Sequence, residues 1–346
     1  MPRASRQLGL GRRLLVRGLG RAGLAALVAI ALGAAVGLYW PRKDKGLSEE
    51  RWTQVKLDAR DRADVLVLGD SRAGSGLLPE VLGRHLPGKV VFNWSFSNNG
   101  YTKAYLDDVE QVLRKGDGRV IIASISPYAF TPKHQVGGYL GARKPWFTEV
   151  KLRHAWRLLD FVRPIPKWEF LDVLRGRTER GWHHVYRDDG SFDGWMVPTR
   201  PDFAPVRARH EYIDQRVSPA ILDGFFEHVA SWRKQGIAVF VVRPPASVEM
   251  EALERESQFD EAAFIARLEA AGGRWIEIPR GPQWESYDGS HIPPHKAREL
   301  STLVGRAVQA MLRGDAPPAL PGVPGAGART ATTASASTTA TSTATR

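Results

Sequence analysis

The sequence predicts an α/β fold: a three-layer α/β/α sandwich around a five-stranded parallel sheet, with an insertion at the sheet's carboxyl edge. Short apolar runs rich in β-branched residues recur along the chain, and helix-patterned segments separate them. Such alternation builds a parallel sheet covered on both faces. Between 130 and 216 the alternation lapses and Trp, Pro, Arg and His accumulate, which marks the insertion.

The elements follow in order. "DVLVLG" (64–69) is the first strand, and a helical stretch after it ends near His85. "KVVFNW" (89–94) is the second; in the segment after it Ala104, Leu106, Val109, Val112 and Leu113 keep approximate helical spacing. "RVIIASI" (119–125) is the third strand. Beyond the insertion come the helix "PAILDGFFEHVASWRKQG" and the strand "IAVFVVR" (237–243). The helix "DEAAFIARLEAAGG" ends in glycines, as helix C-termini often do. "RWIEI" (274–278) is the fifth strand and "PPHKARELSTLVGRAVQAML" the closing helix, so the α/β domain spans 63–129 and 217–312.

The ends differ in kind. Residues 1–21 carry Arg3, Arg6, Arg12, Arg13, Arg17 and Arg21 and no acid, and 22–40 carry no charge. That run approaches the roughly 20 residues a bilayer crossing needs. The asymmetry predicts a signal anchor with its N-terminus in the cytoplasm, Tyr39-Trp40 at the outer interface and the body outside the cytoplasm, periplasmic or at the cell surface. A cleaved signal peptide is the alternative, with small residues at Ala31, Gly33 and Ala35. The polar segment 41–62 suits a stalk or an amphipathic first helix, and the Pro/Ala/Thr/Ser-rich 313–346 a disordered tail.

Composition narrows the function. With 43% hydrophobic residues the chain can bury a sizeable core, and without cysteine it has neither disulfides nor Cys-ligated zinc. Much of the +12 net charge lies in the leader, and no zinc-finger, basic-zipper or RNA-binding signature accompanies it, so nucleic acid is set aside.

In open α/β sheets ligands bind beyond the carboxyl ends of the strands. Ser71 lies there, in "VLVLGDSRAGSG". A strand-to-helix turn exposes a serine hydroxyl and offers backbone N–H groups to an oxyanion. The same pattern also describes an ordinary capped helix. "SYDGSHIPPHKARELS" (286–301) places Asp288 and His291 three apart, on a loop that follows the fifth strand and can return to the same sheet edge. A histidine there can take the proton of Ser71, and the aspartate can hold the other ring nitrogen.

Together these segments resemble the SGNH hydrolase superfamily, the GDSL esterases and lipases. The resemblance rests on Gly69-Asp70-Ser71 and on Asp288-Gly-Ser-His291 with Ile292, Ala297 and Leu300, and it spans 64 to about 312 apart from the insertion. It implies an α/β/α sandwich with Ser71 as nucleophile, His291 as base and Asp288 as orienting acid. In the second block Asn93 matches, while Ser95 stands where the family has glycine; in the third, "SISPYAF" puts Ser126 near the family's asparagine. The expected oxyanion donors are therefore Ser71, Ser95 and Ser126, with Asn98 or Asn99 as substitutes. The leader, the degenerate third block and the insertion together look like the membrane-anchored members that acylate cell envelopes, the alginate acetylation proteins and the D-alanyl-teichoic-acid transfer protein. That layout implies a multi-pass membrane acyltransferase as partner.

The insertion holds Trp146, Trp156, Trp168, Trp182 and Trp195 among many arginines. Indole faces stack on sugars and guanidinium forks grip carboxylates, so Trp146, Trp182, Trp195 and Arg72 are candidates for binding an acidic glycan. The alternative is that these tryptophans pack the insertion onto the domain. His183-His184 and His210-Glu211 lack metal-ligand spacing and read as surface residues, and His295 reads as solvent-facing. "YRDDGSFDGW" (186–195) lacks the distal Glu of a calcium loop and reads as a hairpin turn. No metal or organic cofactor is implied. The expected activity is carboxylester hydrolysis or O-acyl transfer on an acylated glycan or small ester; the alternative is a catalytically weak glycan-binding scaffold of the same fold.

Overall fold

The computed structural model describes residues 23–25, 27–29, 31–32, 35, 46–47, 49–143, 175 and 180–316. Strands β1 (Val65–Leu68), β2 (Val91–Asn93) and β3 (Val120–Ser124) precede the insertion. The insertion contributes β4 (Gly181–Tyr186) and β5 (Phe192–Val197), and β6 (Ala238–Val242) and β7 (Arg274–Ile276) follow it. The main sheet has the order β2-β1-β3-β6-β7, and every neighbouring pair is parallel. Val65 stands opposite Val91 on one side and Val120 on the other.

β1 and β3 are buried at every residue, as apolar strands covered on both faces must be. Side chains alternate between two cores with the strand period of two. Leu66, Leu68, Ile121, Ala123, Val239 and Val241 pack with Phe225, Val229 and Trp232 of the helix Pro219–Lys234. Val65, Val67, Val120, Ile122, Phe240 and Val242 pack with Leu300, Val304 and Val308 of the closing helix Pro294–Arg313. Three layers result.

Strand order reverses direction at β1, which lies between β2 and β3. The crevice for ligands opens at such a switch point, beyond the carboxyl ends of β1 and β3. Gly69 sits there with φ 141°, and a Cβ at that position would stand 2.6 Å from the Ser124 carbonyl oxygen. Only glycine permits that approach.

Several elements differ from the sequence expectation. The stretch after β1 is two helices, Ser71–Gly76 and Pro79–His85, because Pro79 starts a new helix. Residues 49–57 form a helix packed on the domain, with Trp52 and Lys56 buried; of the stalk and the first helix expected over 41–62, this is the helix. Lys56 Nζ donates to the Ser95 carbonyl and lies over the Trp52 ring. The helix Val248–Glu256 had no apolar periodicity to announce it; its signals are the Ser247 cap and the acids Glu249 and Glu251 in its first turn.

In the insertion, β4 and β5 pair antiparallel around the Asp189-Gly190 turn. Asp189 Oδ1 accepts from the Ser191 N–H at 2.9 Å, which closes that turn. The hairpin also reaches back to the sheet, where Asn93 N–H donates to the Asp189 carbonyl at 2.9 Å. Of the expected anchor, the described residues are helical, and Leu24, Leu27, Val28 and Leu32 are exposed. The rest of 22–40, Trp146, Trp156, Trp168 and the tail from 317 lie outside the described residues. Among the described residues no helix is long and apolar enough to cross a membrane.

Candidate active site

Asp70, not Ser71, caps the helix after β1. Asp70 Oδ1 accepts from the Arg72 N–H at 2.9 Å, and its Oδ2 accepts from Ser126 Oγ at 2.8 Å. The Ser71 hydroxyl is thereby released from capping. It lies 2.8 Å from His291 Nε2, and His291 Nδ1 lies 2.7 Å from Asp288 Oδ2.

The loop carrying Asp288 and His291 is folded around the carboxylate. Asp288 Oδ1 accepts from the backbone N–H of Ser290 at 2.8 Å and of His291 at 2.7 Å. Gly289, between Asp288 and Ser290, adopts φ 95°, and a Cβ there would stand 2.2 Å from the Pro201 carbonyl oxygen. The insertion braces the loop from outside, with Arg200 N–H bonded to Tyr287 O and Ala204 N–H to Asp288 O, both at 2.7 Å. Asp288 is fully buried. Burial pushes its carboxyl up, but the His291 imidazole and the two backbone donors outweigh this and hold it below the ordinary carboxylate range. An ionised carboxylate only accepts, so Nδ1 carries the imidazole proton and Nε2 presents a lone pair to the Ser71 hydroxyl. Tyr287 stacks on the His291 ring at 5.9 Å, and Trp182 meets it edge-on at 6.3 Å.

The five expected oxyanion donors separate into two groups. Ser95 is fully buried; its N–H and Oγ both bond Asn93 Oδ1, at 3.2 and 2.6 Å. Asn99 is buried and its Oδ1 holds the Tyr139 N–H at 2.9 Å. Ser126 lines the cavity, but its hydroxyl is committed to Asp70. Ser71 and Asn98 remain. As the first residue of its helix, Ser71 has no intrahelical acceptor for its N–H. Asn98 is exposed at the same cavity and has a left-handed backbone, φ 52°.

The cavity beside Ser71 measures ≈110 Å³. Trp182 and Phe203 of the insertion line it, and so do Tyr128, His134, Tyr212 and Met250. No motif marked those last four, whose position depends on chain segments far from the serine. Tyr128 and Tyr212 stack at 4.2 Å, and the Tyr212 hydroxyl lies 3.1 Å from His134 Nε2. Burial lowers the His134 pKa to about 4, so this histidine is neutral at ordinary pH.

The substrate-binding candidates are told apart by their surroundings: Trp182 and Arg72 line the cavity and Trp195 does not. Arg72 lines the cavity but is 5% exposed; its NH2 pairs with Glu254 at 2.6 Å and its Nε donates to Ser290 Oγ at 3.0 Å. Glu254 also pairs with Arg243 at 2.7 Å. The guanidinium therefore braces the His291 loop. Trp195 lies on the hairpin face opposite Trp182, because side chains alternate along a strand. It stacks on His183 at 5.1 Å and does not line the cavity. His183 is buried rather than on the surface, whereas His295 is exposed as expected.

The chain matches no family model and no curated protein. Among solved structures it is similar to a carbohydrate acetylesterase from Sinorhizobium meliloti, at 11% identity and a TM-score of 0.36 over 71% of this chain and 98% of that one. It is also similar to an aryl esterase of M. smegmatis in an inhibitor-bound form, at 12% identity and a TM-score of 0.35 over 72% of this chain and 98% of that one. Likeness at that level assigns no chemistry to this chain, whose own side chains have to supply it.

Proposed function

We propose that the chain performs serine-dependent acyl-ester chemistry of the SGNH type. One observation carries the reading: Ser71 Oγ, His291 and the buried Asp288 form an unbroken hydrogen-bonded chain at 2.8 and 2.7 Å, open to a cavity. Ser71 Oγ attacks the ester carbonyl while His291 Nε2 takes its proton, and Asp288 stabilises the imidazolium. The carbonyl oxygen, as it gains charge, faces the Ser71 N–H and the Asn98 side chain. His291 then returns the proton to the departing alcohol. Water or a glycan hydroxyl accepts the acyl group from Ser71, giving hydrolysis or transfer. The body works outside the cytoplasm on an acylated envelope or extracellular glycan, tethered by the 22–40 anchor beside a multi-pass membrane acyltransferase; the charge pattern of the leader supports the topology.

The commitment of Ser95 and Ser126 to other partners and the burial of Asn99 away from the cavity favour a second reading, a catalytically weak glycan-binding protein of the same fold. Turnover of ethyl acetate by the full chain separates the two. In the first reading Ser71→Ala and His291→Ala each cost at least about a thousandfold in kcat. Unchanged turnover in Ser71→Ala removes the nucleophile assignment. Absence of turnover and of labelling by a serine-reactive phosphonate leaves the second reading.

A further inference from the structure

The Ser71 cavity carries a second hydrogen-bonded chain, which the acyl-ester reaction leaves unused. Tyr128, His134 and Tyr212 all line the cavity. Their rings are stacked, Tyr128 on Tyr212 at 4.2 Å and His134 on Tyr212 at 4.7 Å.

The direction of this chain is set at its buried end. Thr131 Oγ1 donates to the Tyr128 carbonyl at 2.8 Å. A hydroxyl has one proton, so toward His134 Nδ1, 3.4 Å away, Oγ1 can only accept. Burial, which lowers the His134 pKa to about 4, keeps the ring neutral at ordinary pH, with its proton on Nδ1. Nε2 is left with a lone pair and takes the proton of the Tyr212 hydroxyl, 3.1 Å away. Burial pushes the pKa of the Tyr212 phenol up, so it keeps that proton.

With its proton committed to His134, the Tyr212 oxygen can only accept. Among the described residues no donor is bonded to it. Lys133 Nζ, 5.4 Å from the centre of the Tyr212 ring, donates instead to the Glu211 carbonyl. An acceptor in a cavity wall is matched by a ligand O–H and opposed by an ether oxygen.

We infer that the Tyr212 oxygen, oriented by His134, is a subsite for a free hydroxyl on the alcohol half of the ester. The preferred substrates are then partly acylated polyols and sugars, which keep a hydroxyl next to the esterified one. The carbonyl stays at Ser71 and the ester oxygen beside His291. The inference rests on the acyl-ester reading and names its alcohol. Tyr212 is the binding residue, and His134 positions its proton.

The test uses the full chain with Tyr212→Phe and, separately, His134→Phe, which keeps a ring in the stack. Initial rates compare ethylene glycol monoacetate with its methyl ether, which lacks the donor. Ligand-observed NMR compares N-acetylethanolamine with its O-methyl ether, a pair of the same outline without the ester. The wild type should favour the free hydroxyl by about fivefold in kcat/KM and in affinity, the worth of one neutral hydrogen bond. Tyr212→Phe should abolish both preferences. His134→Phe frees the Tyr212 proton for a ligand, so the methyl ethers should gain on the hydroxyl compounds in both assays. A merely structural role for either ring would change the two members of each pair alike. The subsite is overturned if the wild type discriminates within neither pair, or if Tyr212→Phe leaves the preference intact. An amide preference that responds to the substitutions, without turnover of either ester, keeps the subsite and removes the acyl-ester reading. Turnover of both esters at equal kcat/KM, with no amide preference, does the reverse.

Discussion

The two sides of the Ser71 cavity are built differently. On one side the polar atoms are linked in a single relay. Asp70 caps the helix, Ser71 meets His291, and His291 meets a carboxylate already fixed by two backbone donors. On the other side, beyond the ends of β2 and β3, Ser95 and Ser126 are spent in holding loops together and Asn99 is buried away from the cavity, which leaves Asn98. The difference teaches that two short motifs, one at each end of the strand series, can meet in a proton-transfer chain once the sheet brings them to one edge, whereas an oxyanion pocket depends on what neighbouring loops leave unspent.

The largest effect is expected on the ordered side. Asp288→Asn keeps the shape of the loop but allows the amide to donate to Nδ1, which favours the tautomer unable to accept the Ser71 proton. Acetyl-ester kcat should fall by about four orders of magnitude. A loss below about tenfold would detach Asp288 from the chemistry. The same substitution has a pH signature. The depressed Asp288 pKa contributes stability that is full above the ordinary value of 3.8 and is lost as pH falls through the lower folded value. Urea midpoints should therefore decline with acidification more steeply in the wild type than in Asp288→Asn.

What the sequence disclosed follows the same division. The five sheet strands and the closing helix were legible because burial on both faces demands continuous apolar runs, and a one-sided helix demands spaced ones. The Asp288–His291 pair was legible because its geometry is set within three residues of chain, and Ser71 because it follows a strand; their meeting, across 220 residues, follows from the parallel sheet that brings both loops to one edge. The burial of Ser95 and Asn99 and the tie of Ser126 to Asp70 were not legible, because their partners Asn93, Tyr139 and Asp70 are set by tertiary packing. The pairing of Arg72, which lines the cavity, was hidden for the same reason, since Glu254 comes from a helix that apolar periodicity did not reveal. Trp182 and Trp195 had equal standing in the sequence, and only the pairing register of β4 and β5 separates the one that lines the cavity from the one that does not.

A smaller effect probes the depleted side. Asn98→Ala should lower kcat by roughly a hundredfold with little change in stability, as loss of one oxyanion donor does. Ser126→Ala should show the opposite balance: only a modest loss of rate, and a stability loss of about 1–3 kcal/mol because Asp70 Oδ2 loses a buried donor. Ester kinetics and urea unfolding on both variants decide it. If Ser126→Ala loses rate and Asn98→Ala does not, the two residues exchange roles and the third strand supplies the donor after all.

The smallest effect comes from behind that same wall, where Lys56 holds the Ser95 carbonyl. Burial drives the Lys56 pKa well below 10.5, while Asp189 acts to raise it. Between the folded value and 10.5 the unfolded chain keeps a proton that the folded one has lost, so this lysine makes stability rise with pH across that window. Lys56→Met removes the titration and keeps most of the side-chain volume over Trp52. The wild type should therefore gain stability relative to the variant as pH is raised toward the unfolded lysine value of 10.5, read as a widening difference in urea midpoints. Ester turnover at neutral pH should change only a few-fold, since Ser95 does not line the cavity. A difference in midpoints that stays constant with pH would mean that Lys56 is charged in the folded protein throughout the range. The oxyanion side of the site would then be held from behind by a buried ion rather than by a neutral amine.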